Sequence, residues 1–423
     1  MYYYKVQNNP AFSLEIVEGF EIITEENCQE LLKDEKNTLL FLTKTDVDKR
    51  TSFALTDPMM MFQDPDDLEF IRESKTDDAR LQDIPNWILD QIKNKRVRYL
   101  NMANESFLNI LSIPKKGKWR VNIVGLGDVG SNLLVGLKLL GGDYISEIGV
   151  YSTKPNVMQR YEMELNQVYS IDEDSPLSTR KPMVKVVEKE KIMDCDMFIF
   201  CASSRISAFD ATMNHDNTQQ FTANKEILRK YINKARNTHF KGVFAIVSDP
   251  VEPLCKAAYL MSNTDEEGNL DYKGLLPEQI QGFGLGLMYA RALYYAEKNN
   301  LATNFRKNGR VYGVHGKGLV VADDIENYNE EKSDELAEMS IDSRMMVREL
   351  GFKPYIAPAL SSGAIPIIDR IAGKYSYNSI YIDGVYFGIK NRAILSGIEI
   401  ERIKMNDTLF NKAKHTHDML KNF

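Results

Sequence analysis

Lys118-Trp119-Arg120-Val121-Asn122-Ile123-Val124-Gly125-Leu126-Gly127-Asp128-Val129-Gly130 is the stretch whose reading decides the fold. A short apolar strand runs into G-x-G-x-x-G, and an apolar helix follows through Leu133, Leu134, Leu137 and Leu140. Each glycine has its own duty. Gly125 allows the tight turn, Gly127 lets the backbone approach a pyrophosphate, and Gly130 lets helix and strand pack closely. The helix start at Asp128 and Val129 then offers free N–H groups and a positive dipole end to phosphates. The glycines alone are weak evidence, but between a strand and a helix they predict a dinucleotide site. The competing reading is a glycine turn in some other α/β protein.

Working outward, the chain alternates strand and helix. Glu147–Tyr151 and Met197–Cys201 read as strands, Ala223–Ala235 as a helix, and Val243–Val247 as a strand ending at Ser248-Asp249-Pro250. This alternation predicts a Rossmann-type doubly wound parallel sheet with helices on both faces. Ligands of such sheets lie beyond the carboxyl ends of the strands. Gly125–Gly130, Ser152, Ala202–Arg205 and Ser248–Pro250 all fall at such ends.

Beyond Pro250 the pattern gives a helix through Leu260, a polar loop around Thr264–Gly274, and a glycine turn, Gly282–Gly286, opening a helix from Leu287 to Lys298. Val311–Gly316 reads as a strand ending in a turn, and Ile365–Ile371 as a helix. Ser379–Ile382 and Val385–Ile389 read as strands, and a charged helix starts near Asp407. The expected division is a dinucleotide domain over 118–262 and an α+β substrate domain over 263–423. Residues 1–115 form a leader, in which Leu39–Leu42 reads as a buried strand and Ile84–Lys95 as a helix. It reads as a small folded α/β extension without repeats or a catalytic constellation.

Bulk properties narrow the function classes. The 423 residues are 43% hydrophobic and 27% charged, ordinary for a globular protein. A net charge of −7 without a long basic run argues against a nucleic-acid partner. No stretch approaches the roughly eighteen continuous apolar residues of a membrane span, and the start, Met1-Tyr2-Tyr3-Tyr4-Lys5, lacks signal-peptide order. Cys28, Cys195, Cys201 and Cys255 show no CxxC spacing, which argues against a zinc site or a disulfide framework. The expectation is a reduced, cytoplasmic protein with no membrane partner.

From about Arg120 onward the chain resembles the lactate/malate dehydrogenase family. Ile246-Val247-Ser248-Asp249-Pro250-Val251 is similar to that family's I-V-S-N-P-V, and Leu287-Met288-Tyr289-Ala290-Arg291 to its L-D-S-A-R. Gly313-Val314-His315-Gly316-Lys317 resembles G-E-H-G-D, and Ser361-Ser362-Gly363-Ala364-Ile365 resembles the T-x-x-A-I segment lining the substrate pocket. The leader has no counterpart there. The resemblance implies hydride transfer between a nicotinamide and C2 of a 2-hydroxy or 2-oxo acid. It also implies a small carboxylate substrate and a homodimer or homotetramer. His315 would move the hydroxyl proton, its unperturbed pKa of about 6.5 suiting the task. Arg291 would grip the carboxylate with its planar fork, Ser361 would line the pocket, and Arg205 would lie near the cofactor phosphates.

The departures matter as much. Met288 stands where the family has the aspartate that orients the histidine, and thioether sulfur cannot do that job. Asp249 stands where an asparagine usually touches the reacting oxygen; it is the best candidate to reach His315 instead, though a residue before proline is also an ordinary turn residue. The loop Ile206–Asn224 has no Arg or Lys, and a solvated His215 is its only substitute for the polarising arginine. The second strand ends at Ser152-Thr153-Lys154 without the acid that holds the adenosine ribose. NADP is therefore expected to be tolerated beside NAD, with a mild lean towards it and Lys154 adding attraction. His415 and His417 read as surface residues. Related NAD-dependent glycosidases use a Cys–His pair, but no cysteine follows Cys255, and no metal is expected.

Three functions stay open. The first is an NAD(P)-dependent dehydrogenase of this type with an altered site. The second is an amino or imino acid dehydrogenase on the same fold, in which Asp249 favours a cationic nitrogen. The third is a dinucleotide-binding sensor without turnover.

Overall fold

The computed structural model describes all residues except 76, 114–116, 176, 180 and 205–215, and the side chains of 216 and 217. Nine strands form one sheet: β1 Trp119–Val124, β2 Ile145–Tyr151, β3 Met183–Val186, β4 Met197–Phe200, β5 Val243–Ile246, β6 Ile280–Gly282, β7 Ser376–Ile382, β8 Val385–Ile394 and β9 Gly397–Ile400. Their spatial order is β3-β2-β1-β4-β5-β6-β7-β8-β9. The pairings from β3 through β6 are parallel. This is the dinucleotide-binding order, in which the direction of winding reverses between β1 and β4 and opens a crevice there.

Burial on both faces explains why the central strands are apolar without a break. Val121, Ile123, Met197, Ile199, Val243 and Ala245 pack on one face, with Leu133, Leu134 and Leu137 of helix α1, Asp128–Leu140. Phe198, Phe200, Phe244 and Ile246 pack on the other. There they meet Leu228 and Ile232 of a long helix, Asp216–Asn237, and Leu254 and Ala258 of helix Val251–Ser262.

The parallel sheet continues past residue 262. β6 pairs antiparallel with β7, and β7, β8 and β9 form an antiparallel meander. Helix Leu285–Lys298 leads out of β6, and the two-stranded ribbon of Arg310–Tyr312 and Val320–Ala322 carries the His315 turn between its strands. A 20-residue helix, Glu330–Glu349, was not legible in the sequence, because its charged run shows only a weak apolar stripe. The short strands β3 and β9 also escaped sequence reading, being four residues long each.

The leader folds around its own six-stranded mixed sheet, in which Leu39–Thr43 forms the expected strand and Asn86–Lys93 the expected helix. It leans on the meander. Across the junction Arg98 donates to Leu395 O at 3.0 Å, and Ser396 donates to Lys95 O at 2.7 Å. Gly397 abuts the backbone of Phe53 and Ala54. One histidine departs from its sequence reading. His417 is buried, with Nε2 3.1 Å from Ile382 O and its ring beside Phe387, because its face of the C-terminal helix covers the meander. His415 is exposed, as expected. No helix of the described residues is long and apolar enough to cross a membrane.

Candidate active site

The glycine turn is built as its spacing implies. Gly125 has φ +91°, and a Cβ on it would overlap the backbone of Cys201 and Ala202. Only glycine adopts that conformation freely. A Cβ on Gly130 would overlap Gly125 O, so α1 is seated directly on the turn. Gly127 instead faces open space, and as N-cap of α1 it supplies no side chain to bond the first N–H groups. Those groups point outward beside Asp128 and Val129, available to an anion. The Asp128 carboxylate is exposed and lies 3.6 Å from Lys353. Val129 is partly buried against the core.

Other expected cofactor residues divide by role. Ser152 Oγ accepts the N–H of Lys154 at 3.2 Å, and Lys154 itself is exposed. Ser248 is buried and donates to Ala202 O at 2.7 Å. Its hydroxyl thus ties the end of β5 to the residue packed on Gly125. Arg205 and His215 lie outside the described residues.

Asp249 follows immediately, and the Nδ1 of His315 sits 2.7 Å from its Oδ1. A short path therefore runs from the glycine turn through Ala202 and Ser248 to Asp249 and His315. His315 is held from behind as well. Its N–H donates to Glu252 Oε2 at 3.3 Å, and Glu252 Oε1 accepts from Ser379 at 2.8 Å. Asn224, fully buried, accepts from Ser204 N–H at 2.8 Å and donates to Asp249 O at 2.7 Å.

The electrostatics follow from this packing. Burial presses the His315 pKa down, but the charge and hydrogen bond of Asp249 outweigh it, and the net shift is upward. Burial would raise Asp249, yet His315, Arg344 and Arg291 hold it below the usual carboxylate range. Its side chain remains 49% accessible, so the pair opens to solvent at the carboxyl end of the sheet. Burial raises Glu252, whose carboxyl is sealed behind the histidine.

Arg291 projects from helix Leu285–Lys298 and spends one arm on Ser340 O, at 3.2 Å. Burial lowers its guanidinium to about 10, so it stays charged at neutral pH. Among the described residues no carboxylate lies within 4.0 Å of it. Met288, three residues earlier, is buried among Leu285, Leu287 and Ala292. Ser361 is not brought to this cluster. It lies in a π-helical turn, Pro358–Ala364, and lines a cavity of about 340 Å³ with Gly286, Tyr289 and Arg310. Ser362 instead joins Gly284 O and Leu287 N–H.

Sequence reading missed Glu252, Asn224 and Arg344. Glu252 lies three residues past Asp249, but a glutamate in the first turn of a helix is also simply a good match for the dipole. Arg344 carries no local signal, since its whole helix went unread.

No protein-family profile matches the sequence, and no curated protein matches it. Solved structures do share the architecture. The ligand-bound minor L-lactate dehydrogenase of Enterococcus mundtii aligns with a TM-score of 0.58 at 16% identity, over 73% of this chain and 98% of that one. MGS-M5, a lactate dehydrogenase from a Medee basin deep-sea metagenome library, aligns with a TM-score of 0.57 at 17% identity, over the same 73% and 98%. The chain therefore has a lactate-dehydrogenase-like fold, carried in about three quarters of its length.

Proposed function

We propose that this chain is a nicotinamide-dinucleotide-dependent oxidoreductase that interconverts a 2-hydroxy acid and its 2-oxo acid. The observation that carries this reading is the His315–Asp249 pair at 2.7 Å, beyond the carboxyl ends of the strands, where the uncapped start of α1 also lies. The residues suit the cofactor: Gly127 leaves open space before free N–H groups, where a side chain would intrude. Gly125–Gly130 would hold the pyrophosphate. A bound nicotinamide would exchange the hydride with C2.

The chain's own residues supply the rest. Nδ1–H of His315 donates to Asp249, which fixes the tautomer and leaves Nε2 for the substrate oxygen. In oxidation Nε2 takes the hydroxyl proton, and Asp249 stabilises the imidazolium that forms. In reduction the same proton returns to the carbonyl oxygen. Asp249 thus does from the end of β5 what Met288 cannot do from its helix. The free donors of Arg291 would hold the carboxylate. An amine substrate would need the Asp249 charge for itself, and that charge is already met by His315, which favours an oxo acid. Ser152 places no acid against a 2′-phosphate, so both NAD and NADP should serve, with a mild preference for NADP.

Turnover of a panel of 2-oxo acids with NADH and with NADPH, each with and without ammonium, tests the proposal. Reduction without ammonium is expected. Turnover that requires ammonium would make this an amino acid dehydrogenase. Nucleotide binding without any turnover would make it a sensor.

A further inference from the structure

We propose that the leader and the core meet around a buried site for one small monovalent anion, between the guanidinium groups of Arg98 and Arg370. A cavity of about 40 Å³ lies at that junction, lined by Ser52 and Arg98 of the leader and by Trp119, Glu278 and Arg370 of the core. None of these five residues is more than 6% exposed.

The charges around it do not balance. Among the described residues, neither Arg98 nor Arg370 has a carboxylate within 4.0 Å. Arg98 donates to two carbonyls, Leu395 O at 3.0 Å and Ile110 O at 3.4 Å. Arg370 donates to the neutral amide of Gln281 at 3.0 Å. Burial lowers both guanidinium groups to about 10, with each still charged at neutral pH. Glu278 is the cavity's one acid. Its Oε1 accepts the N–H of Ser52 at 3.0 Å, and burial pushes its carboxyl up to about 7, so it is partly neutral under ordinary conditions. The charge of the adjoining Arg50 is matched by Asp66, which meets its Nε at 3.0 Å, although its two terminal nitrogens have no partner among the described residues.

Hydrogen-bonding capacity points the same way. Two lining groups that can only donate, Arg98 Nε and Trp119 Nε1, have no protein partner among the described residues, nor has the Ser52 hydroxyl, which can donate or accept, against one lining oxygen that only accepts when ionised, Glu278 Oε2. Donors in excess beside a surplus of positive charge are the chemistry of an anion site. Water could satisfy the donors, but it would leave the charge surplus uncompensated, and a buried unpaired charge is costly. The volume admits an ion of the size of a halide or a one-carbon planar oxyanion, since a single water occupies on the order of 10–15 Å³ by this measure. Because the lining comes from both halves, an ion there would tie leader to core.

Thermal unfolding of the full chain in sodium bromide, sodium formate and sodium gluconate at equal ionic strength tests this. Gluconate is too bulky to enter. A small anion at tenfold its dissociation constant should raise the midpoint on the order of 2 °C over gluconate. The bromide and formate arms separate a halide site from an oxyanion site. Arg370→Met should erase the difference between salts. If neither salt raises the midpoint, or the rise persists in Arg370→Met, the site does not exist. Should that variant fail to fold, crystals of the natural chain grown in bromide or formate decide. Anion density between Arg98 and Arg370 supports the site, and ordered water alone overturns it.

Discussion

Two carboxyl groups in this molecule sit among arginines and titrate in opposite directions. Asp249 lies in the open cleft, with Arg291 and Arg344 near it, and stays below the usual carboxylate range. Glu278 lies in the sealed junction with Arg50 nearby, and rises to about 7. Burial pushes both upward. The difference is exposure and contact: Asp249 is 49% accessible with the His315 imidazole at 2.7 Å, whereas Glu278 is almost fully buried with one backbone N–H and an unpartnered oxygen. Nearby positive charge is not enough to ionise a fully buried acid, and Asp66, raised by burial although bonded to Arg50, shows that exposure counts as much as contact. The open site therefore keeps a charge ready for proton transfer, and the sealed one gives its charge up.

The largest expected effect lies in the open cleft. His315→Asn should lower turnover on the order of 10³-fold, as for loss of a positioned acid–base group, with nucleotide affinity unchanged. Steady-state kinetics beside a nucleotide titration check this, and retained turnover would strip the cleft of its catalytic role.

The sealed site answers to stability. An unfolded glutamate releases its proton near 4.5, whereas Glu278 in the folded chain holds it to about 7. Between those values the folded state binds more protons, so this group lowers stability as pH rises, by on the order of 3 kcal/mol in all. Denaturant unfolding across that window should show Glu278→Gln losing this slope. An unaltered slope would mean that Glu278 is ionised like Asp249.

Arg291→Lys keeps the charge but not the planar fork. It should reduce kcat/KM for 2-oxo acids by about 2–3 kcal/mol, the range of a charge-assisted bond. Kinetics within twofold of the parent would leave Arg291 a tether for Ser340 only. The subtlest comparison is Asp249→Asn. Without the carboxylate, burial dominates at His315 and its pKa falls. Reduction needs the protonated ring, so the alkaline limb of its pH–rate profile should move to lower pH. A profile that stays in place would show that the pair does not govern the proton.

The same contrast explains what the sequence could show. The strand, glycine turn and α1 were legible because their logic is local: each glycine answers to a neighbour a few residues away. His315 and Asp249 could each be singled out by their surroundings, and Met288 showed that a partner was missing, but only the fold brings residues so far apart to 2.7 Å. At the adjoining pair it is Ser362 whose hydroxyl meets the helix start, while Ser361 lines a cavity beside Gly286, a distinction no spacing rule registers. Nothing local marks Arg98, Glu278 or Arg370. Each sits in an ordinary amphipathic context, and their meeting depends on how the leader docks.

That docking bears on how the chain can be divided. β9 is the last strand of its sheet, and the leader lies against it at Gly397, with Lys95 reaching Glu399 at 2.6 Å. A fragment starting just before β1 would keep the whole nucleotide turn and every residue of the cleft. It would also bare the far margin of a nine-stranded sheet, an open template onto which other chains can add strands. Such a fragment is expected to self-associate where the full chain, with the leader against β9, does not.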